Sequence, residues 1–147
     1  MERAIELSII SLGGPFGAVI VNKNGEIIGE GHNQVTTTND PTAHAEMVAI
    51  RNACNNTNNF QLDGCTIYTS CEPCPMCLSA CYWARINKIY YANTREDAAN
   101  IGFDDKHIYD EFSKTLEERS IPIIKIHNTD AITAFNNWEN NKNKIEY

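Results

Sequence analysis

The sequence lacks any apolar run long enough to cross a bilayer, which takes about 20 residues. It also lacks a basic surplus. Twelve Lys and Arg stand against nineteen Asp and Glu, for a net charge of −7. No cluster of Lys and Arg occurs along the chain. Proteins that grip a polyanion by neutralising phosphates carry such a patch. A small neutral substrate is therefore favoured over tRNA or DNA, and neither a nucleic-acid nor a membrane partner is expected. The first residues, Met1 to Leu7, are charged and amphipathic, without the apolar core of a signal peptide. A cytoplasmic location is the expectation. The six cysteines then read as reduced thiols or metal ligands, because disulfides are rare in that compartment. The glycine-rich stretch 13–17 lacks the Lys-Ser/Thr ending of a phosphate-binding loop and reads as structural. With no internal repeat and no linker, residues 1–147 are expected to form a single domain.

The apolar pattern predicts a helix over 2–11, with Ile5, Leu7, Ile9 and Ile10 as its apolar positions. Gly13-Gly14-Pro15 ends it. Strands are expected over 16–21 and 26–31, joined by the turn Asn22-Lys23-Asn24-Gly25, whose Asn-Gly is a strong hairpin cue. Residues 35–39 read as a polar turn. Asp40-Pro41-Thr42 is expected to open a helix through about 55, capped by Asp40 or Thr42, with Met47, Ile50 and Ala53 facing the core. A buried strand is expected over 65–70, a helix over 75–85, and strands over 86–92 and 121–126. Residues 96–103 read as irregular or a short helix and 104–111 as a helical turn or two, and a last helix is expected over 130–143. Strands alternating with helices after an opening hairpin suggest an α/β fold: a three-layer α/β/α sandwich around a mixed five-stranded sheet.

The chemistry is concentrated in two short stretches, His44-Ala45-Glu46 and Pro73-Cys74-Pro75-Met76-Cys77. Zinc takes four ligands and is well served by imidazole nitrogen and thiolate sulfur. His44, Cys74 and Cys77 supply three, and an open fourth position marks a catalytic site rather than a structural one. Both stretches fall at expected helix N-termini, where the helix dipole favours the thiolate that zinc requires. Zinc there brings the pKa of a bound water to roughly 7. Glu46, beside the metal without binding it, is placed to take that water's proton and deliver it to a ring nitrogen and then to a departing amine. The reaction class is hydrolytic deamination. H-x-E followed by P-C-x-x-C is a recognised signature of zinc nucleobase deaminases. A rival reading joins Cys71, Cys74, Cys77 and Cys81 into a ferredoxin-like cluster. That run ends in Cys-Tyr rather than Cys-Pro, and Cys81 fits a buried helical thiol. Cys54 and Cys65 read as small core residues. A non-catalytic zinc module is the reading from another class, and it has no use for Glu46.

With these residues in place, the chain resembles the cytidine-deaminase-like superfamily, and within it the bacterial guanine deaminases. The likeness rests on 13–21, 39–46, 68–77, Tyr82-Trp83-Ala84-Arg85, Gly102-Phe103-Asp104-Asp105 and the terminal Glu146-Tyr147. The resemblance implies conversion of guanine and water to xanthine and ammonia. Guanosine, a triazine, cytosine and tRNA adenosine are the alternative substrates of related enzymes. It implies one zinc ion per subunit on His44, Cys74 and Cys77, with Glu46 as proton shuttle and Asp105 as a second catalytic carboxylate. It implies substrate contacts from Asn33, Ala45, Trp83, Phe16 and Tyr147. It further implies a homodimer that exchanges C-terminal segments, so that Tyr147 closes the partner's pocket. The N-terminal region is several residues shorter than is usual in the family. His32 stays without a role.

Overall fold

The architecture is taken from a computed structural model that describes residues 1–146; Tyr147 lies outside the described residues. The chain divides into two compact units, Met1–His107 and Ile108–Tyr147. In the first unit α1 (Glu2–Ile10) leads into β1 (Gly17–Val21) and β2 (Ile27–His32). The one-turn helix α2 (Val35–Thr38) precedes α3 (Ala45–Thr57), β3 (Thr66–Cys71), α4 (Pro75–Trp83), β4 (Lys88–Asn93) and α5 (Arg95–Asn100). The helix α6 (Lys106–Phe112) follows, and α7 (Ile132–Glu139) lies in the second unit.

The sheet has the order β2-β1-β3-β4. Its first two pairings, β1 with β2 and β1 with β3, are antiparallel, while β3 and β4 run parallel with α4 as the crossover. The hairpin forms where Asn-Gly predicts it. Asn22 Oδ1 accepts from the backbone N–H groups of Asn24 and Glu26, and Gly25 takes φ +85°. Alternate residues of β1 divide between the two faces of the sheet. Val19 packs with Ala4 and Leu7 of α1. Ala18 and Ile20 pack with Ala45, Ala49 and Ala53 of α3, with Ile67 of β3 and with Cys81 of α4. Helices thus lie on both faces. Ile20 and Ile67 are wholly buried, and each such side chain stabilises the fold by about 1.5–3 kcal/mol relative to exposure.

Several expectations need correction. Among the described residues the sheet has four strands, not five. Residues 121–126 are rich in β-branched isoleucine, yet Ile121, Ile123, Ile124 and Ile126 are exposed and unladdered. A strand exists only where another strand meets its N–H and C=O groups, and none does so here within the single chain. Pro122 also removes one of the donors. Of the expected apolar positions on α1, only Leu7 is buried, joined by Ala4; Ile9 and Ile10 point to solvent. Residues 40–43 are a turn rather than a helix start: Asp40 Oδ1 accepts from Thr42 N–H and from its hydroxyl. The core stripe of α3 is Ala45, Ala49 and Ala53, with Met47 and Ile50 only half-buried.

That stripe of small residues has a reason. Gly29 and Gly31 occupy the positions of β2 that α3 crosses. A Cβ on Gly29 would come 2.7 Å from Ala53 Cβ, and one on Gly31 would come 2.6 Å from Ala49 N. Glycine within a strand often marks such a close backbone approach. On the free side of β2, Asn52 and Asn56 of α3 donate to the carbonyls of Glu30 and Ile28, so the helix satisfies part of the open sheet edge. Asn39 and Asn58, with φ of 53° and 49°, close α2 and α3 in the left-handed conformation.

Candidate active site

Each half of the site is the first residue outside a helix. His44 is the N-cap of α3 and Cys74 is the N-cap of α4, with Pro75 next as the preferred residue for a first helical position. Neither side chain is spent on capping its own helix. The His44 ring and the Cys74 sulfur therefore stay available to a third party. Cys77 follows one turn into α4 and is fully buried. His44 Nδ1 stands 3.6 Å from Cys74 Sγ and 3.6 Å from Cys77 Sγ. The three donor atoms all lie within 4.8 Å of one another. One nitrogen and two sulfurs, from two helix N-termini that carry partial positive charge, form a donor set suited to zinc. Three donors from the protein leave a position for water or substrate.

The protonation states agree with a metal pocket. A hydrogen bond from Cys77 holds the Cys74 thiol down at about 4, so Cys74 is a thiolate at neutral pH. The same bond, with burial, keeps the proton on Cys77 and raises its pKa. The Cys74 sulfur in turn raises the pKa of the His44 imidazole. Zinc displaces such protons when it binds. Among the described residues Cys71 and Cys81 are not part of this group. Both are buried, and burial pushes their thiols up to about 11 and about 12. Four cysteines in a shared cluster are thus not what the fold assembles. Cys81 sits in the core, as does Cys65, while Cys54 is half-buried against it.

Glu46 is the second residue of α3 and is 6% exposed. Burial raises its pKa, aided by the charge of Cys74. The hydroxyl of Thr69, on β3, donates to its Oε1 at 3.1 Å. A buried carboxyl whose pKa is displaced towards neutrality can accept and release a proton readily. Asp105 precedes α6. Its neighbour Asp104 accepts from Lys106 N–H through Oδ1. Asp105 is half-buried, and burial and the charge of Cys74 raise its pKa, so it lies within electrostatic reach of the metal ligands.

Asn33 is 5% exposed, just past β2. Its Oδ1 accepts from Val35 N–H at 3.0 Å. That bond fixes which end of the amide is oxygen and leaves Nδ2 free to donate. Phe16 is half-buried and meets Phe103 edge to face, with ring centroids 5.0 Å apart. Ala45 is completely buried and its methyl belongs to the core, so its backbone is the part left for any substrate contact. Trp83 ends α4 and is 62% exposed, about 9 Å along the helix from Cys77. Tyr147 lies outside the described residues.

Two contributors were not foreseen. Thr69 shares the core-facing register of β3 with Ile67. A hydroxyl in an apolar register signals a buried partner, and that signal was legible. Phe103 covers both Phe16 and Gly14, where a Cβ would come 3.2 Å from the Phe103 ring. It joins elements nearly ninety residues apart, and no local pattern announces it.

Comparison with known proteins gives a consistent set of likenesses. Residues 2–93 match the family described as the cytidine and deoxycytidylate deaminase zinc-binding region. The chain is 54% identical over 151 aligned residues to guanine deaminase of Bacillus subtilis, covering 100% of this chain and 96% of that protein. The X-ray structure of that enzyme superposes with a TM-score of 0.94 at 53% identity, over 99% of this chain and 95% of the other. A structure of guanine deaminase from Nitrosomonas europaea matches at TM-score 0.66 and 33% identity, over 71% and 62% of the two chains. The tRNA-specific adenosine deaminase of Aquifex aeolicus is 50% identical over 78 residues, 53% of this chain and 51% of that protein.

Proposed function

We propose that this chain, which belongs to the cytidine and deoxycytidylate deaminase zinc-binding family, hydrolyses guanine to xanthine and ammonia. The observation that carries the proposal is the meeting of His44, Cys74 and Cys77 at two helix N-termini with the buried Glu46 carboxyl alongside. Zinc held by those three residues supplies a Lewis acid that makes water acidic near neutral pH. Glu46 takes one proton from water and passes it to a ring nitrogen of the base, then takes the second from the hydroxyl added at the carbon and passes it to the departing amine. Its burial raises its pKa, which suits a group that must hold a proton and give it up again.

Substrate choice rests on other residues. The free Nδ2 of Asn33 donates to an acceptor on the purine edge. Asp105 accepts from the amino group at C2 and acts as a second proton carrier. Phe16 provides an apolar face for the ring, and Ala45 a backbone contact. Trp83 belongs to the substrate pocket by family likeness. The likeness to the Bacillus guanine deaminase runs through the whole chain, whereas matches to tRNA-specific adenosine deaminases cover 52% to 72% of it at lower identity. The net charge of −7 also favours a small base over tRNA.

The working form is a cytoplasmic homodimer of one deaminase domain per chain, with the C-terminal segment exchanged and Tyr147 closing the partner's pocket. In the second unit no described residue is buried, and Ile121, Ile124, Ile126 and Phe135 are exposed. A segment of that size without a core needs another surface to fold on. Tyr90 and Tyr91 on the edge strand β4 are half-exposed. All six cysteines are free thiols, in keeping with a reducing compartment. An ammonia-release screen of the zinc-loaded protein on guanine, guanosine, adenine, cytosine and ammeline tests substrate choice. Guanine is expected to be turned over fastest, and preference for any other member of the panel would overturn the assignment.

A further inference from the structure

The Glu46 carboxyl hangs from the first turn of a helix, and a glutamate side chain has three rotatable bonds. Something must hold it if it is to serve a fixed reaction centre, because misplacement of about 1 Å can cost a hundredfold in rate. The Cys77 thiol and the backbone N–H of Glu46 itself also bond this carboxyl, but Cys77 would give up its proton to a bound metal, which leaves Thr69 as the neutral side-chain donor. Thr69 Oγ1 donates to Glu46 Oε1 at 3.1 Å, and Thr69 itself is 1% exposed. Its backbone is fixed on both sides, opposite Ala18 in β1 and Tyr91 in β4. The donor is thus mounted on a central strand, the most constrained part of the sheet. The fold has no need of the hydroxyl at this place. Ile67, two residues earlier on the same face, is purely apolar, and valine has the shape of threonine without the polar group.

We propose that Thr69 is the positioning residue for Glu46: its hydroxyl holds Oε1 and so orients the other carboxylate oxygen towards the reaction centre. Thr69 touches neither metal ligand nor substrate in this scheme and acts through Glu46 alone. The inference rests on the deaminase reading above and refines it. It divides the two oxygens of one carboxylate between an anchoring and a working role. It also explains why a polar residue stands in the core-facing register of β3.

The test is a set of three variants assayed on guanine, with zinc content measured for each. Thr69→Val is expected to lower kcat by about ten- to a hundredfold while KM and zinc content stay within about threefold of the wild type. Thr69→Ser keeps the hydroxyl and is expected to stay within about threefold in kcat. Adding Thr69→Val to Glu46→Gln is expected to change the residual rate by less than about twofold, because a positioning residue has nothing left to position. Wild-type kcat in Thr69→Val overturns the proposal. So does a serine variant as impaired as the valine one, an additive double variant, or zinc lost in step with kcat. Should Thr69→Val fail to fold, Thr69→Ala against Thr69→Ser makes the same comparison, and equal rates in that pair overturn the proposal. If the wild-type protein itself leaves guanine untouched, the deaminase reading fails; if the wild type turns over and Thr69→Val matches it, only the present inference does.

Discussion

At the scale of single residues, the site depends on side chains that decline an ordinary duty. His44 and Cys74 occupy N-cap positions but do not cap. Each is thereby left free for chemistry. The donor set itself was legible in the sequence, because H-x-E and C-x-x-C fix their own spacing. The protonation pattern was not, since it depends on burial and on the Cys74–Cys77 hydrogen bond, which spacing alone does not reveal, and on the meeting of Cys74 with His44 thirty residues away. It has a direct consequence for the metal-free protein. A depressed pKa means that Cys74 is ionised at every pH above about 4, whereas Cys71 and Cys81 stay protonated until about 11 and about 12. The thiolate is the nucleophile. Iodoacetamide labelling of zinc-stripped protein at pH 6, read by peptide mass spectrometry, should therefore modify Cys74 first. Zinc should protect it, and preferential labelling of Cys71 or Cys81 would contradict the assignment.

At the scale of elements, the helix carrying His44 and Glu46 is set by the strand beneath it. Gly29 and Gly31 let α3 lie directly on β2, and Ala45, Ala49 and Ala53 fit that close approach. The sequence periodicity points to Met47, Ile50 and Ala53 as the buried stripe, of which only Ala53 is fully buried. The observed stripe is small because the backbones are close. The start of α3 was also misplaced: Asp40-Pro41-Thr42 has the composition of a helix start, but Asp40 folds back on Thr42 and the helix waits until Ala45. Gly31→Ala tests the dependence of the site on this contact. Its Cβ would press on the backbone of Ala45, which lies between His44 and Glu46, and of Ala49 one turn on. The expected cost is about 1–3 kcal/mol in urea denaturation. Activity should fall by more than the loss of folded protein explains, because His44 and Glu46 move with the helix. A variant with lower stability and full specific activity would show that the helix tolerates the shift.

At the scale of the whole molecule, the first unit could be read from sequence largely element by element, whereas in the second the helix expected over 130–143 is present as α7 (Ile132–Glu139) and the strand expected over 121–126 is not. Residues 121–126 have the isoleucine-rich composition of a strand, yet a strand requires a neighbour that the single chain does not place there. Local pattern reports the capacity to pair, not the presence of a partner. The same limit applies to substrate choice, which the proposal assigns to Asn33, Asp105 and Tyr147 on three separate segments. If the C-terminal segment is exchanged between copies, removing Tyr147 should lower guanine turnover at least about tenfold while leaving zinc content unchanged. Size-exclusion chromatography with light scattering should report a dimer for the full chain, and a fully active monomer would contradict the exchange. The central claim is that zinc on His44, Cys74 and Cys77 and a proton carried by Glu46 together deaminate guanine. Its most direct test is spectrophotometric conversion of guanine to xanthine by wild-type and Glu46→Gln proteins, with zinc quantified in both. Equal zinc, turnover by the wild type, and a rate at least about a hundredfold lower in the variant is the expected result. Equal turnover by the two proteins would contradict it.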